Sequence, residues 1–390
     1  MTTPSRRSWA WLLVPASVAL LCAEFWNRNY TRRIDFHIYY EALQYGDHNS
    51  LYNYLFPYFP LGFTYPPFAA VVMRPLSQLD RLVAEKTWII LAATLSAAFL
   101  YLIVPLLDWR PSWRRHGIPV AIAASLWFVP ITLTVSIGQI NAFIALAVAI
   151  DTVLLHRRSR WTGIGIGFAT AMKLTPGILI PFLILAGRRR EAAVSAGSFA
   201  AFSALGAIVR PNVSWRFWTK ELWATDRVGA YDSTMNNSIR RAVTWTGAPD
   251  RVQFVIWAAL AVCLVGFGLR RALTAHRNGN TLIAITLMML ASYVVSPITW
   301  AHHLYFVIPA ILAWLMTTPR WVAIVTAIPF LWALIDPIQI GLGELAPIPR
   351  MIVLVVLLVF LPTSKRYPIP GEPVTETTPR AGADQLVGIG

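Results

Sequence analysis

Apolar runs of about 20 residues recur along most of the chain, and no other feature constrains its fold so strongly. An α-helix needs about 20 apolar residues to cross the hydrocarbon core of a bilayer. The runs are continuous, whereas the strands of a membrane β-barrel alternate between apolar and polar residues. Only 13% of the 390 residues are charged, against about 25% in soluble domains. The sequence therefore predicts an all-α polytopic membrane protein.

The positions of the arginines predict the topology. The chain has a net charge of +15, and its arginines fall in short loops between apolar runs, which indicates cytoplasmic loops rather than a nucleic-acid-binding surface. The predicted membrane segments are 9–26, 84–107, 118–136, 141–156, 192–209, 252–269, 281–297, 303–318, 321–336 and 350–362.

One further apolar stretch, 162–186, is interrupted in its middle by Lys173 and Pro176. The basic loops "HRRSR" (156–160) and "GRRR" (187–190) flank it, and both are predicted to be cytoplasmic. A single crossing would place them on opposite faces. We therefore predict a broken hairpin of two short helices meeting at "KLTP", which brings the total to about twelve membrane segments with both termini cytoplasmic.

This topology predicts one transmembrane domain over 1–366. A long extracytoplasmic loop, 27–83, follows the first span. The tail 367–390 is rich in Pro, Thr and Gly, a composition typical of disordered segments, and it is predicted to be a disordered cytoplasmic tail.

The unusual polar residues gather on the predicted outer side, and an ionisable group at membrane depth is a functional hypothesis by default. Asp35 follows Arg32 and Arg33 in "TRRIDFHIYYEA". It fits two roles equally well: an interfacial ion pair, or a general base at the mouth of a cavity.

Lys173 and the pair His302 and His303 raise similar alternatives. A membrane lysine can extend to the interface, whereas a lysine facing a cavity at a helix break suits a phosphate. Adjacent histidines point about 100° apart on a helix, which disfavours a shared metal. One histidine donating to a phosphate or a sugar, while the other packs, fits better.

The amides have a structural alternative too. Gln139 and Asn141 in "GQIN", and Asn236 and Asn237 in "MNNSIRR", fit sugar binding or helix capping. Arg240 fits a bidentate phosphate contact or lipid headgroups.

Several motifs occur together and in a characteristic order: "DFHIYY", "FPLGFTYPPFAAVVMRPL", "GQIN", "MKLTP", "NNSIRR" and "SPITWAHH". In this the chain resembles the actinobacterial polyprenol-phosphate-mannose-dependent mannosyltransferases, glycosyltransferase family 87 of the GT-C class. The resemblance implies a GT-C fold and an inverting α-1,2-mannosyltransferase on the extracytoplasmic face of the plasma membrane. Its donor is polyprenyl-phosphate-mannose, its acceptor a phosphatidylinositol mannoside.

The resemblance also implies residue roles. Asp35 is the matching position for the catalytic aspartate, and no metal or other cofactor is expected. The expected substrate-binding residues are His302, His303, Lys173, Arg240, Gln139, Asn141, Asn236, Asn237, Tyr65 and His37. The expected partners are the two lipid substrates and membrane lipids, and no nucleic acid.

Other activities are compatible with the same residues. Within the family these are a lipomannan or lipoarabinomannan α-mannosyltransferase and an arabinofuranosyltransferase. A lipid-linked sugar transporter would also use broken helices. The crowding of polar motifs on one face and the lack of a visible inverted repeat disfavour the transporter.

Overall fold

The computed structural model describes residues 8–27, 33–45, 51–58, 61–334 and 347–364. Over these residues all regular secondary structure is helical apart from one isolated β-bridge between Leu55 and Gly62, which confirms the prediction of an all-α chain. The predicted tail, 367–390, lies outside the described residues. The α-helices are α1 (Leu13–Trp26), α2 (Ile34–Gln44), α3 (Pro67–Ser77), α4 (Arg81–Ile103), α5 (Arg114–Ser125), α6 (Val129–Ile137), α7 (Asn141–His156), α8 (Ile164–Met172), α9 (Leu179–Leu185), α10 (Arg189–Val209), α11 (Pro211–Arg216), α12 (Ile239–Thr244), α13 (Asp250–Arg277), α14 (Thr281–Val295), α15 (Val307–Thr317), α16 (Arg320–Leu334) and α17 (Pro347–Phe360).

Four helical stretches of the described chain are long and apolar enough to cross a membrane by themselves. They are Trp9–Trp26, Arg81–Leu106, Arg189–Val209 and Asp250–Arg277. The pair α5 and α6 bends by 45° at a short break and counts as a fifth span when taken together. The chain is thus a multi-pass membrane protein.

Judged by the length and composition of the described helices alone, four or five spans are found, fewer than the predicted total of about twelve membrane segments. Several predicted segments fold as apolar helices of 10–17 residues, among them Asn141–His156, Thr281–Val295 and Val307–Thr317. A straight span needs about 20 residues, so these helices do not cross a membrane by length alone. The twelve-segment topology and the GT-C fold stay predictions.

The predicted interruption near "KLTP" is present. Helix α8 ends at Met172, and Lys173 has an extended backbone. A 3-10 turn, Thr175–Ile178, then leads into α9, with Pro176 in its first positions. Proline starts a helix well because its missing N–H would have no partner there. That both arms open to the same membrane face stays a prediction.

The described part of the predicted loop 27–83 contains the short helices α2 and α3. Seven of the eleven residues of α2 are buried, so this helix lies inside the protein rather than on its surface. Asp35 lies in its first turn. The next residues, Phe36 and His37, are buried. Their packing holds this turn in place and so fixes the position of the Asp35 carboxylate.

A glycine allows the end of α6 to contact α2. Gly138 ends α6 with a φ of +80°, in the left-handed region, which glycine adopts at no steric cost. A Cβ at this position would lie 2.4 Å from the Cβ of Phe36. This close approach brings the following residue, Gln139, next to Asp35.

The helix α14 forms the centre of the helical packing. It is apolar over nearly its whole circumference, and all of its residues except Val295 are buried, as expected for a helix that is hydrophobic all round. Met289 and Tyr293 on its second half face the cavity described next.

Candidate active site

One cavity of about 650 Å³ collects most of the predicted site residues. Its volume is in the range of small-molecule and cofactor sites. Its walls come from the start of α2, the segment 61–66, the α6–α7 connection, the break after α8, the segment 217–235 and the segment 296–303. The predicted site residues that line it are Asp35, Tyr65, Gln139, Asn141, Lys173, His302 and His303.

Asp35 is held by groups from other elements. Gln139 makes a side-chain hydrogen bond to it, and the Lys173 ammonium acts on it electrostatically. Burial raises the pKa of Asp35 to about 6, and the hydrogen bond from Gln139 and the charge of Lys173 limit the rise. A carboxylate with this pKa is ionised at neutral pH and can still accept a proton there.

The neighbouring Arg33 contacts a different acid, Glu85. The Arg33 side chain is 1% exposed and its Nε lies 3.0 Å from Glu85 Oε1 on α4. Its guanidinium also donates to the carbonyl of Phe25. Among the described residues, the cation that acts on Asp35 is Lys173, from a break 138 residues along the chain. Arg32 lies outside the described residues.

A line of hydrogen bonds orients the Gln139 amide. Tyr39 Oη donates to Tyr65 Oη at 3.1 Å, and Tyr65 Oη donates to Gln139 Oε1 at 2.8 Å. Asn141 Nδ2 lies 3.4 Å from the same oxygen. Because the carbonyl of Gln139 accepts from these groups, its NH₂ group is the one that reaches Asp35.

Lys173 faces the cavity. Its Nζ donates to Asn141 Oδ1 at 3.2 Å and lies 5.6 Å from the centre of the Tyr65 ring. Of the two sequence-based alternatives, the geometry matches the cavity-facing cation rather than a side chain that extends to the membrane interface.

The two histidines lie in a 3-10 turn, Ala301–His303, with ring centres 4.7 Å apart and planes at 83°. The Trp300 N–H donates to His303 Nδ1 at 3.3 Å, which leaves the proton of a neutral His303 ring on Nε2. Among the described residues, His302 Nε2 is buried without a hydrogen-bond partner. Burial, together with the charge of Lys173, lowers the pKa of His302 well below its ordinary value, so its ring is neutral.

The predicted residues Asn236 and Asn237 are not in the cavity lining. Asn236 Nδ2 donates to the Pro297 carbonyl at 3.0 Å, and its Oδ1 accepts from the Thr299 N–H at 2.9 Å. Asn237 Nδ2 donates to the Thr299 carbonyl at 2.9 Å. Both amides thus tie their segment to the loop that leads to the histidines. A direct contact with sugar stays a prediction.

Arg240 and His37 also lie away from the cavity lining. The Arg240 guanidinium lies over the rings of Tyr231 and Trp257, at 5.0 and 5.7 Å. His37 is fully buried, with Glu85 3.8 Å from its Nε2. Burial lowers the pKa of His37 to about 3, and Arg81 and Arg33 add to the effect. Their roles in phosphate and substrate binding stay predictions.

The cavity also contains charged residues that the sequence did not single out. Glu221 and Arg227 form an ion pair on its wall, with Arg227 Nη1 2.5 Å from Glu221 Oε2, and Arg350 at the start of α17 lines it as well. The only signal in the sequence was the mixture of arginines and aromatic residues over 210–228, which is common in membrane-surface segments. Among the described residues, no three His, Cys, Asp or Glu side chains converge as metal ligands.

Comparison with known proteins gives one family match. The model of glycosyltransferase family 87 matches residues 63–297. This range contains Tyr65, Gln139, Asn141 and Lys173 of the cavity, whereas Asp35 and the two histidines lie outside it.

Curated mycobacterial relatives agree with the family match. The chain is 31% identical over 267 residues to a polyprenol-phosphate-mannose-dependent alpha-(1-2)-phosphatidylinositol mannoside mannosyltransferase of Mycobacterium tuberculosis, covering 65% of the chain and 61% of that relative. It is 32% identical over 338 residues to a polyprenol-phosphate-mannose-dependent alpha-(1-2)-phosphatidylinositol pentamannoside mannosyltransferase of Mycolicibacterium smegmatis, covering 79% of the chain and 75% of that relative. The matched part thus spans about three fifths of the first relative.

Proposed function

The chain belongs to glycosyltransferase family 87, and from this membership and the cavity we propose that it transfers mannose from polyprenyl-phosphate-mannose to a phosphatidylinositol mannoside. The predicted family resemblance is thereby confirmed. The substrates follow the names of the relatives, which describe polyprenol-phosphate-mannose dependence and phosphatidylinositol mannoside products or acceptors.

The observation that carries the proposal is the pairing of an acid and a cation in one cavity. Asp35 and Lys173 both line it, and Gln139 and Asn141 connect them through hydrogen bonds. An inverting transfer in one displacement needs a base at the attacking hydroxyl and a positive charge at the leaving phosphate. This arrangement supplies both.

In the proposed step, the acceptor hydroxyl oxygen attacks the anomeric carbon of β-linked mannosyl phosphate from the opposite face. Asp35 takes the hydroxyl proton as the new carbon–oxygen bond forms. The bond from the anomeric carbon to the phosphate oxygen breaks, and its electron pair remains on the departing polyprenyl phosphate. The product is an α-mannoside.

The leaving phosphate gains negative charge during this step. Lys173 is the cation that offsets it, and the His303 Nε2–H, oriented through the Trp300 bond to Nδ1, is a donor to the same phosphate. Preoriented donors of this kind stabilise developing charge without reorganising during the reaction.

The finer topology belongs to the same proposal. We place the cavity on the extracytoplasmic face of the plasma membrane, in a GT-C fold of about twelve membrane segments with both termini cytoplasmic. The support is that the cavity walls at 34–38, 61–66 and 217–235 come from loops that the positive-inside rule assigns to the outer side.

A reconstituted assay tests the proposed function. Purified protein is incubated with polyprenyl-phosphate-mannose and a panel of phosphatidylinositol mannosides, and the products are analysed by mass spectrometry and by digestion with a linkage-specific α-1,2-mannosidase. We expect one acceptor to gain one digestible hexose. A chain that adds no hexose to any acceptor, and instead moves the donor across a liposome membrane, would be the transporter.

A further inference from the structure

A second group of charged side chains lies beside the cavity, apart from Asp35 and Lys173. The buried carboxylate of Glu221 is contacted by two guanidinium groups, with Arg216 Nε at 2.6 Å from Oε1 and Arg227 Nη1 at 2.5 Å from Oε2. Arg210 and Arg74 belong to the same electrostatic environment: Arg210 and Glu221 both act on the Tyr52 hydroxyl, and Arg74 acts on Arg210. We call Arg74, Arg210, Arg216 and Arg227 the arginine cluster.

Positive charge exceeds negative charge in this group. Among the side chains that the structure describes here, Arg216 and Arg227 contact the carboxylate of Glu221, and Arg210 and Arg74 add two further positive charges to the same electrostatic environment. Arg210 is only 4% exposed, and its Nε has no hydrogen-bond partner in the described part of the chain. A buried guanidinium is costly unless an anion accompanies it, so the cluster has the electrostatic character of an anion site.

The arginine cluster adjoins the catalytic side of the cavity. Arg227 Nη2 donates to the Phe63 carbonyl at 2.6 Å, and its guanidinium lies 5.1 Å above the Tyr52 ring. Tyr52 Oη in turn donates to the backbone carbonyl of Tyr65 at 2.9 Å. Because Tyr65 forms the wall next to Gln139, a ligand can extend from the cluster towards Asp35.

Exposed aromatic residues frame the same segment. Trp215 on α11 and Trp223, two residues after Glu221, are 74% and 73% exposed. Tryptophan is enriched at the level of lipid headgroups. Their position on both sides of Arg216 and Glu221 is consistent with a cluster at the depth where a phospholipid carries its phosphodiester.

We infer that the arginine cluster binds the phosphodiester of the acceptor lipid and so directs the sugar of its headgroup towards Asp35. The inference rests on the proposed function, since it concerns the acceptor of that reaction. The two phosphate groups of the reaction then have separate sites: Lys173 serves the leaving phosphate of the donor, and the cluster serves the acceptor. Arginine suits this role because it contacts phosphate oxygens bidentately.

A binding experiment tests this without requiring catalysis. Native mass spectrometry of the full chain in detergent measures binding of a phosphatidylinositol mannoside, of an uncharged mannosyl diacylglycerol and of inorganic phosphate. We expect Arg227→Gln and Arg216→Gln each to weaken binding of the anionic lipid about tenfold, as for the loss of a hydrogen bond to a charged group. Binding of the uncharged lipid should not change, and Arg227→Lys should restore part of the loss.

Arg189→Gln is the matched control. Arg189 is exposed at the start of α10, about 30 Å along the helix axis from Arg210 at its other end, and its loss removes the same charge. We expect it to bind the anionic lipid like the wild type. Melting temperatures of all variants, measured in the same detergent, identify any that have lost their fold.

Three results would overturn the inference. One is equal binding of the charged and uncharged lipids by the wild type. Another is an equal loss of both lipids in Arg227→Gln, which would indicate a structural role. The third is binding of inorganic phosphate as tight as that of the lipid. Where transfer is also measured, Arg227→Gln and Arg216→Gln should raise KM for the acceptor and leave KM for the donor unchanged. Failure of the proposed function would give a different result: the wild type would bind the lipid and add no hexose to it.

Discussion

Asp35 differs from three other described acids, Glu85, Asp151 and Asp80, in what its carboxylate contacts. Glu85 pairs with Arg33, Asp151 accepts a backbone N–H from Ile166 at 2.6 Å, and Asp80 caps α4. Asp35 instead faces the cavity beside an amide and a lysine. Its surroundings hold the carboxylate in place and leave room for a substrate hydroxyl.

Asp35→Asn removes the proposed base and keeps the shape of the side chain. We expect kcat for mannosyl transfer to fall about a hundredfold to ten-thousandfold, the usual contribution of general base catalysis, with the melting temperature close to that of the wild type. Asp80→Asn is the matched control, because Asn also caps a helix well and the residue is exposed. Full activity of Asp35→Asn would remove Asp35 from the mechanism.

The dependence of the reaction on pH should report the Asp35 carboxylate. A base acts only when deprotonated, so kcat/KM should fall as pH drops below about 6, the value to which burial raises the pKa of Asp35. Lys173→Met removes a positive charge that favours the carboxylate. It should therefore raise the pKa of Asp35 and move the acidic limb of the profile to higher pH, in addition to lowering kcat.

The control for Lys173→Met is the same substitution at a lysine outside the cavity. Lys86 lies 3.8 Å from Glu85 and is absent from the cavity lining, so Lys86→Met should leave the acidic limb in place. A limb that stays at the same pH in Lys173→Met would show that another group titrates there.

The sequence identified individual residues where a charge or an amide was rare in its context. Asp35, Gln139 and Lys173 stood out because they interrupt or end apolar runs. Glu221 and Arg227 did not, because charged and aromatic residues are ordinary in a membrane-surface segment. The interaction partners of these residues were harder to predict from the sequence. Arg33 pairs with Glu85, a residue on another helix and 52 positions later, rather than with its neighbour Asp35.

At the scale of elements, two connections determine the shape of the site. The break after α8 leaves Lys173 extended between two helices, and proline in a helical run predicts such a break from sequence alone. The contact between Gly138 and Phe36 was not predictable in the same way. It depends on how α2 packs against the end of α6, which no local pattern encodes.

Gly138→Ala should disrupt this contact. Alanine at a left-handed φ costs about 1–2 kcal/mol, and its Cβ would meet Phe36 at 2.4 Å. We expect a lower melting temperature and a loss of kcat/KM, because Gln139 moves away from Asp35. Gly197→Ala is the control: it lies within α10 with open space around it, and should be neutral or stabilising. A Gly138→Ala variant that melts and reacts like the wild type would contradict the role of the contact.

At the scale of the whole molecule, the predicted topology determines which face of the membrane the cavity opens to. The predicted topology puts "GRRR" (187–190) inside and the segment 210–251 outside, and it requires the broken hairpin at 162–186. Arg189 and Thr246 are exposed in these two regions. In a background with Cys22 and Cys263 replaced by alanine, a membrane-impermeant maleimide added to intact cells should label Thr246→Cys. Arg189→Cys should react only after the membrane is permeabilised.

Labelling of Arg189→Cys in intact cells would make 162–186 a single crossing, and every later loop would then change sides. Asp35 and the segment 217–235 both line the cavity, but Asp35 precedes that crossing and the segment 217–235 follows it. With a single crossing, these two walls would lie on opposite faces of the membrane. The biochemical and topological proposals are therefore coupled. A donor delivered outside can meet Asp35 together with the cavity walls that follow α10, the segments 217–235 and 296–303, only if the chain returns to the cytoplasm before α10.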